Sequence, residues 1–379
     1  MNLKWRTKGL LFLSGFLIFS PILSKIFIDI IGLPLTIPEI LFLPFIGIYN
    51  KYLGIKLSSK FLGSLFFLYI LLVIAIIYGY FPFYSVLSTF RGYLYIILAF
   101  WAFKDRQLFG GIDAVFAIVL GSSFGWLVMS LNFFSAIVFG SAEGSFAVYG
   151  NMISLAMVIV ISVLYYKRLF NSIVLIMNLV LSFTTGLRRQ ILVTLVSYLI
   201  SLFLLGKRSI KGLIIILLTL GFGFPLILRG FENISSFILT ISPKLFSRII
   251  TKTTMFIDGD QSVSDSSRLG HFNDVIENIH EYILPRGFVS KRTMADADLG
   301  AFMDAPFKEL LHTFGLILLI PMLLIFLYRI RFHIINFRKY NVRESGVMIV
   351  MSLIFLILTF VEGSFLNFTY SVPVTGFVL

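Results

Sequence analysis

Residues 212–228 read GLIIILLTLGFGFPLIL, without one charged side chain. Apolar and polar residues do not alternate along it, so it is not a strand of a membrane β-barrel. A run of this length and apolarity is what an α-helix needs to cross the hydrocarbon layer of a bilayer. The rest of the chain has the same character. It is 58% hydrophobic and 13% charged, with mean hydropathy +0.98, whereas a soluble domain is about a quarter charged. The expectation is an all-α, polytopic transmembrane helix bundle. There is no cysteine, which excludes a disulfide framework and thiolate metal sites. The net charge of +13 is read first as membrane topology and not as nucleic-acid binding.

Hydropathy divides the 379 residues into about twelve spans. Their bounds are roughly 9–27, 35–49, 61–80, 86–103, 108–131, 149–166, 169–183, 190–205, 212–228, 310–328, 346–361 and 365–379. The first follows a basic tip (Lys4, Arg6, Lys8) but shows no small-x-small cleavage site, so it is read as an uncleaved span and not a signal peptide. Every second connection is basic. Lys51, Lys56 and Lys60, then Lys104 and Arg106, then Lys167 and Arg168, then Lys207, Arg208 and Lys211 mark successive ones, and Arg329, Arg331, Arg338, Lys339 and Arg343 the last. The positive-inside rule then puts both termini in the cytoplasm and the intervening connections outside.

Residues 230–309 break the pattern. They follow the ninth span, precede the tenth, and hold more than half of the chain's 18 acidic residues. The chain therefore divides into spans one to nine (1–229), an external loop (230–309) and spans ten to twelve (310–379). Within the loop, Ser242-Pro243 resembles a helix start. Lys244, Arg248 and Lys252 then recur every four residues opposite Leu245, Phe246, Ile249 and Ile250, as in a basic amphipathic helix at a membrane surface or on the loop's own core. A second helix is expected over 266–282, with Leu269, Phe272, Val275, Ile276, Ile279 and Ile283 on its apolar stripe. Asp274, Glu277 and Glu281 lie off that stripe as a solvated face, and Pro285-Arg286-Gly287 ends the helix.

Two external features run against the charge rule. Arg91 lies within span four, toward its outer end, and Arg188 and Arg189 open span eight after Thr184-Thr185-Gly186-Leu187. Such arginines either snorkel to lipid headgroups or serve a function at depth. The pair also sits at a helix N-terminus, where free N–H groups favour an anion. No Walker loop, GxGxxG, HExxH or EF-hand spacing is present. Asp296-x-Asp298 is a two-residue pattern too common to define a metal site, and the loop histidines lack a ligand set, so no metal site and no cofactor are expected.

Three runs, with the span count and the large loop, resemble the O-antigen polymerase (Wzy-type) and O-antigen ligase superfamily. Thr185-Gly186-Leu187-Arg188-Arg189 is similar to the family's small-Gly-Ser-Arg-Gly element opening a span. Ser267-Arg268, followed by Leu284-Pro285-Arg286-Gly287-Phe288, is similar to its arginine, helix and Pro-Leu-Gly-x-Gly run. The stretch from Asp304-Ala305-Pro306-Phe307-Lys308-Glu309 to Leu310-Leu311-His312-Thr313-Phe314-Gly315 is similar to its His-Asn-x-x-Leu…Gly run. Leu187 and Arg189 depart from the small residues of the first element, one glycine is missing from the second, and Asp304 stands where ligases have histidine. The last departure leans toward a polymerase.

The resemblance implies an enzyme in the cytoplasmic (inner) membrane of a bacterium that uses polyprenyl-pyrophosphate-linked oligosaccharide as donor. Repeat units would be joined on the outer face, with inversion and without nucleotide or metal, alongside membrane lipid and other assembly proteins such as a flippase or chain-length regulator. Nucleic acid is no partner. Arginine suits the leaving pyrophosphate, because its planar fork bonds two oxygens and stays charged. Arg188, Arg189 and Arg268 are the candidates, with Arg91 behind them. Asp304 is the preferred base for the acceptor hydroxyl, with Asp298 or Glu309 in reserve; equally, Asp304 would hold Arg268 or Lys308. Transfer to another acceptor as in a ligase, a transporter or flippase for the same lipid-linked glycan, and a scaffold in an assembly complex are the alternatives.

Overall fold

The computed structural model describes residues 5–18, 59–79, 83–103, 112–138, 152–185, 188–205, 270, 272–289 and 306–361. Those residues are almost wholly helical, with no strand among them. In chain order the helices are α1 (Trp5–Ile18), α2 (Ser59–Tyr78), α3 (Phe83–Phe103), α4 (Ile112–Val138) and α5 (Met152–Tyr165). They continue as α6 (Arg168–Thr185), α7 (Arg188–Leu205), α8 (Pro306–Tyr340) and α9 (Arg343–Val361). The spans expected at 35–49, 212–228 and 365–379, and the basic helix after Ser242, lie outside the described residues. Two of the described helices, Ser59–Tyr78 and Phe307–Tyr340, are long and apolar enough to cross a membrane.

α8 corrects the expected bounds. It starts at Pro306 and runs on to Tyr340, so Arg329, Arg331, Arg338 and Lys339 extend the helix where a connecting loop was expected. Proline suits a first helical position, since its missing N–H would have had no partner there.

α5 lies at the centre. It is apolar all round, and its residues from Met152 to Leu164 are buried, as expected of a helix with no polar face. α4, α6, α7 and α9 pack around it. A second apolar group joins α2 and α3 to Phe288, Val289 and Phe314.

Short connections fix directions. Residues 166–167 join α5 to α6 and 186–187 join α6 to α7, and links this short place neighbouring helices antiparallel. Arg343 at the start of α9 lies over the Tyr165 ring at the end of α5, 6.0 Å from its centroid. Phe116 of α4 stacks on Tyr166 at 4.7 Å, and Lys8 of α1 pairs with Asp113 of α4 at 3.0 Å. The starts of α1, α4, α6 and α9 and the ends of α5 and α8 therefore share one end of the bundle. The starts of α7 and α8 share the other.

Candidate functional site

The site begins with a break in α8. Gly315 has φ 63 and ψ 163, outside the helical region, so the ladder of backbone hydrogen bonds stops there. In an unbroken helix the His312 carbonyl would accept from the N–H of Leu316, and the Ile317 N–H would donate to Thr313. Both groups are instead used by a strap from the loop, residues 283–289. Arg286 N–H donates to His312 O at 2.8 Å, and Ile317 N–H donates to Ile283 O at 3.2 Å. Buried backbone groups need such partners.

Two glycines make the approach possible. Gly315 lies at positive φ, and a Cβ there would meet Leu284 C at 2.5 Å. Gly287, at φ 82, faces the backbone of α2 at Leu71 and Ala75, where a Cβ would have no room. Thr89 of α3 donates from Oγ1 to Val289 O at 2.6 Å, closing the far end of the strap. Between these points Phe288 is wholly buried against Phe90 and Tyr93.

The first turns of α8 then bring ionisable groups beneath the strap. Glu309 is 0% exposed, and Tyr93 donates to its Oε1 at 3.4 Å. A wholly buried carboxylate is rare without specific partners. His312 is 5% exposed, and its Nδ1 lies 3.1 Å from Gly287 O. Lys308 reaches out to Asp274 at 2.5 Å, and Arg286 pairs with Glu281 at 3.2 Å nearer the surface. Burial, with the Asp274 and Glu281 carboxylates beside it, pushes the Tyr282 phenol up to about 12.

The sequence-predicted residues divide. Glu309 is at the centre. Arg188 and Arg189 form the first turn of α7, at the same end of the bundle as the first turn of α8. α7 packs on α5, α6 and α9, whereas Glu309 is walled by α3, α8 and the strap. Arg91 is half-buried in α3. It lies two residues from both Thr89 and Tyr93, about 200° round the helix from each, and so faces away from Glu309. Asp304, Arg268 and Asp298 lie outside the described residues.

The loop helix also differs from its expected form. It gives way at Ile279–Tyr282 to a 3-10 turn. Of the expected apolar stripe Val275 is buried, while Phe272 and Ile276 are 47% and 57% exposed. Tyr282 is buried with Val275 and Leu311. Asp274, expected on a solvated face, is held by Lys308.

Sequence reasoning missed Thr89, Tyr93 and His312. Gly315 was the available signal for the last: a glycine inside an apolar helical run, three residues on, marks a break. Thr89 and Tyr93 carried no local signal, because their partners are 200 and 216 residues away. No family model matches the chain, and neither a curated protein nor a solved structure does.

Proposed function

We propose that the chain is a polysaccharide polymerase: a glycosyltransferase that joins polyprenyl-pyrophosphate-linked repeat units on the outer face of a bacterial cytoplasmic membrane. The observation that carries this reading is a shared end of the bundle. The three runs that resemble the polymerase and ligase superfamily are far apart in sequence. Their described parts lie at one end of one bundle: Arg188 and Arg189 opening α7, Leu284–Phe288 as the strap, and Phe307–Gly315 beneath it.

A twelve-span bundle is part of the proposal. Ile317, Ile320, Leu324 and Ile325 of α8 are exposed, as are Phe66 and Ile77 of α2, and lipid is the natural neighbour of such a surface. Lys8, Lys167, Arg338, Lys339 and Arg343 lie at the end opposite Glu309, which suits a cytoplasmic end by the positive-inside rule. Single cysteines at Ser262 and Ser290 then label from outside intact cells, and those at Ser209 and Asn336 only after lysis.

In this reaction the acceptor hydroxyl attacks the anomeric carbon from the face opposite the pyrophosphate, which leaves with its electron pair. Arg188, Arg189 and Arg268 neutralise the leaving group, and fixed cations placed where charge grows act strongly on rate. Asp304, with Asp298 and Glu309, orients the acceptor. The energy comes from loss of the polyprenyl pyrophosphate, so the chemistry needs no nucleotide.

A lipid-linked glycan transporter is the second reading, and the break in α8 favours it, since broken helices line transport sites. Deleting the gene and profiling lipid-linked glycans separates the readings. A polymerase null accumulates single repeat units outside; a flippase null accumulates them inside. Full-length polymer still on lipid identifies a ligase.

A further inference from the structure

We propose that the exposed face of α8 binds an anionic phospholipid of the cytoplasmic leaflet, with the lipid phosphate between Arg331 and Arg338. The inference rests on the membrane orientation given above and is independent of the reaction catalysed.

Spacing and exposure define the face. After Gly315 the helix runs on regularly to Tyr340. Ile317, Leu324, Leu327, Arg331, Ile335 and Arg338 are all exposed. At about 100° per residue they fall on one stripe of the helix. The opposite side packs on α9: His333 Nδ1 lies 3.4 Å from Ser345 Oγ, and a Cβ on Gly346 would meet the Phe337 ring. The stripe therefore faces away from the bundle.

Depth makes the two arginines unequal. The strap meets α8 at Ile317, whose N–H is bonded to Ile283 O, and the outer boundary of the hydrocarbon is set near that level. At a rise of about 1.5 Å per residue, Arg331 lies about 21 Å farther along the helix and Arg338 about 32 Å. The hydrocarbon of a bilayer is about 30 Å thick. Arg338 therefore reaches the far boundary, while Arg331 stops about two turns inside it. One to two turns in from the same end, α6 exposes Ile173 and Ile176 instead. A charge inside the hydrocarbon is costly unless it finds a counter-charge. Snorkelling carries the Arg331 head toward Arg338, and local thinning of the leaflet brings a headgroup to meet it.

Among the described residues, no carboxylate pairs with either arginine. The acidic groups at this end are Asp113, held by Lys8 at 3.0 Å, and Glu344 beyond the turn after α8. A phospholipid phosphate supplies the missing charge. It is part of the leaflet itself, and its oxygens accept from two guanidinium forks at once. An acyl chain then lies along Leu327 and Leu324. A zwitterionic lipid gains less, because its headgroup brings a cation of its own.

The test uses the purified full-length chain in bilayers. Because the sequence has no cysteine, Ile335→Cys carries a single fluorophore between the two arginines. Quenching is measured with brominated phosphatidylglycerol and with brominated phosphatidylcholine, each as a minor fraction of plain phosphatidylcholine bilayers. The expected result is a preference for phosphatidylglycerol that falls about fivefold for each arginine changed to glutamine. Lys167→Gln removes a charge at the same end but off this face, and it leaves the preference in place. An equal fall in Lys167→Gln means diffuse attraction to a basic surface and overturns the proposal. Equal quenching by the two lipids in the chain with both arginines overturns it as well, without recourse to any charge variant. If neither lipid quenches, α8 does not sit in the bilayer; the membrane orientation then fails first, and the proposal falls with it.

Discussion

Helix α5 and the first turns of α8 treat polar groups in opposite ways. In α5 the backbone ladder runs unbroken, its residues from Met152 to Leu164 are buried, and Ser162 returns its hydroxyl to Ile159 O at 2.9 Å. In α8 the ladder stops at Gly315, and residues more than 25 positions away in sequence supply the missing donor and acceptor. A carboxylate, an imidazole and an ammonium group cluster there. Buried polar groups are tolerated where partners are built for them. The difference separates a scaffold from a place where ionisable groups are kept at structural expense, and the second is where chemistry is to be sought.

The largest effect is expected along α7, which contains both kinds of region. Arg188→Ala at its start abolishes polymer while the protein inserts at normal levels, a loss on the order of 2–4 kcal/mol of transition-state stabilisation, by analogy with removing one oxyanion donor. Arg188→Lys restores part of the activity, since a point charge does not replace the fork. Arg189→Ala is milder, because adjacent helical side chains point about 100° apart. Ser197→Ala, farther down the same helix where the hydroxyl returns to Val193 O, leaves polymer unchanged. Equal losses at Arg188 and Ser197 would erase the contrast.

Gly315→Ala sharpens it on the stability side. It combines positive φ with a clash against strap backbone, and the loss is expected to be about 2–4 kcal/mol in chemical denaturation. Ile159→Val, in the well-packed middle of α5, loses about 1 kcal/mol. Thr89→Val comes next. It leaves the Val289 carbonyl without its hydroxyl donor and weakens strap docking by about 1–3 kcal/mol, read as faster amide exchange at residues 283–289. Exchange that quickens equally in α5 would mean global destabilisation and not a released strap. The smallest effect belongs to Glu281→Gln. Its pair with Arg286 is exposed, and such pairs contribute about 0–1 kcal/mol, so melting temperature and turnover stay within error.

The helical character of the scaffold was legible because long apolar runs are a local signal. The described helices overlap the expected apolar runs, with α4 running on to Val138 where an end near 131 was expected. α8 departed from its bounds because Arg329 to Lys339 read as a connection by charge alone, although nothing there breaks a helix before Asn341, which has positive φ. The site was legible in part. Glu309 and the Pro285–Gly287 stop are visible as residues, but in sequence the stop marks only a helix end. Its second role, as the strap that completes a broken helix, depends on contacts with α2, α3 and α8. Phe272 and Ile276 show the opposite failure. Their helical period was read as burial, yet a short loop helix can be held by Val275, Tyr282 and the Lys308–Asp274 pair and leave its other apolar residues exposed.

The most direct test of the central claim is polymer formation by the purified protein in liposomes, given polyprenyl-pyrophosphate-linked repeat units, chelator and no nucleotide. The expected result is a ladder of lengthening glycan on lipid, with free polyprenyl pyrophosphate released for each unit added. Repeat units that stay single in the presence of active, correctly inserted protein would contradict it. Polymer that forms only after magnesium or manganese is restored would contradict the metal-free chemistry and return attention to Asp296 and Asp298.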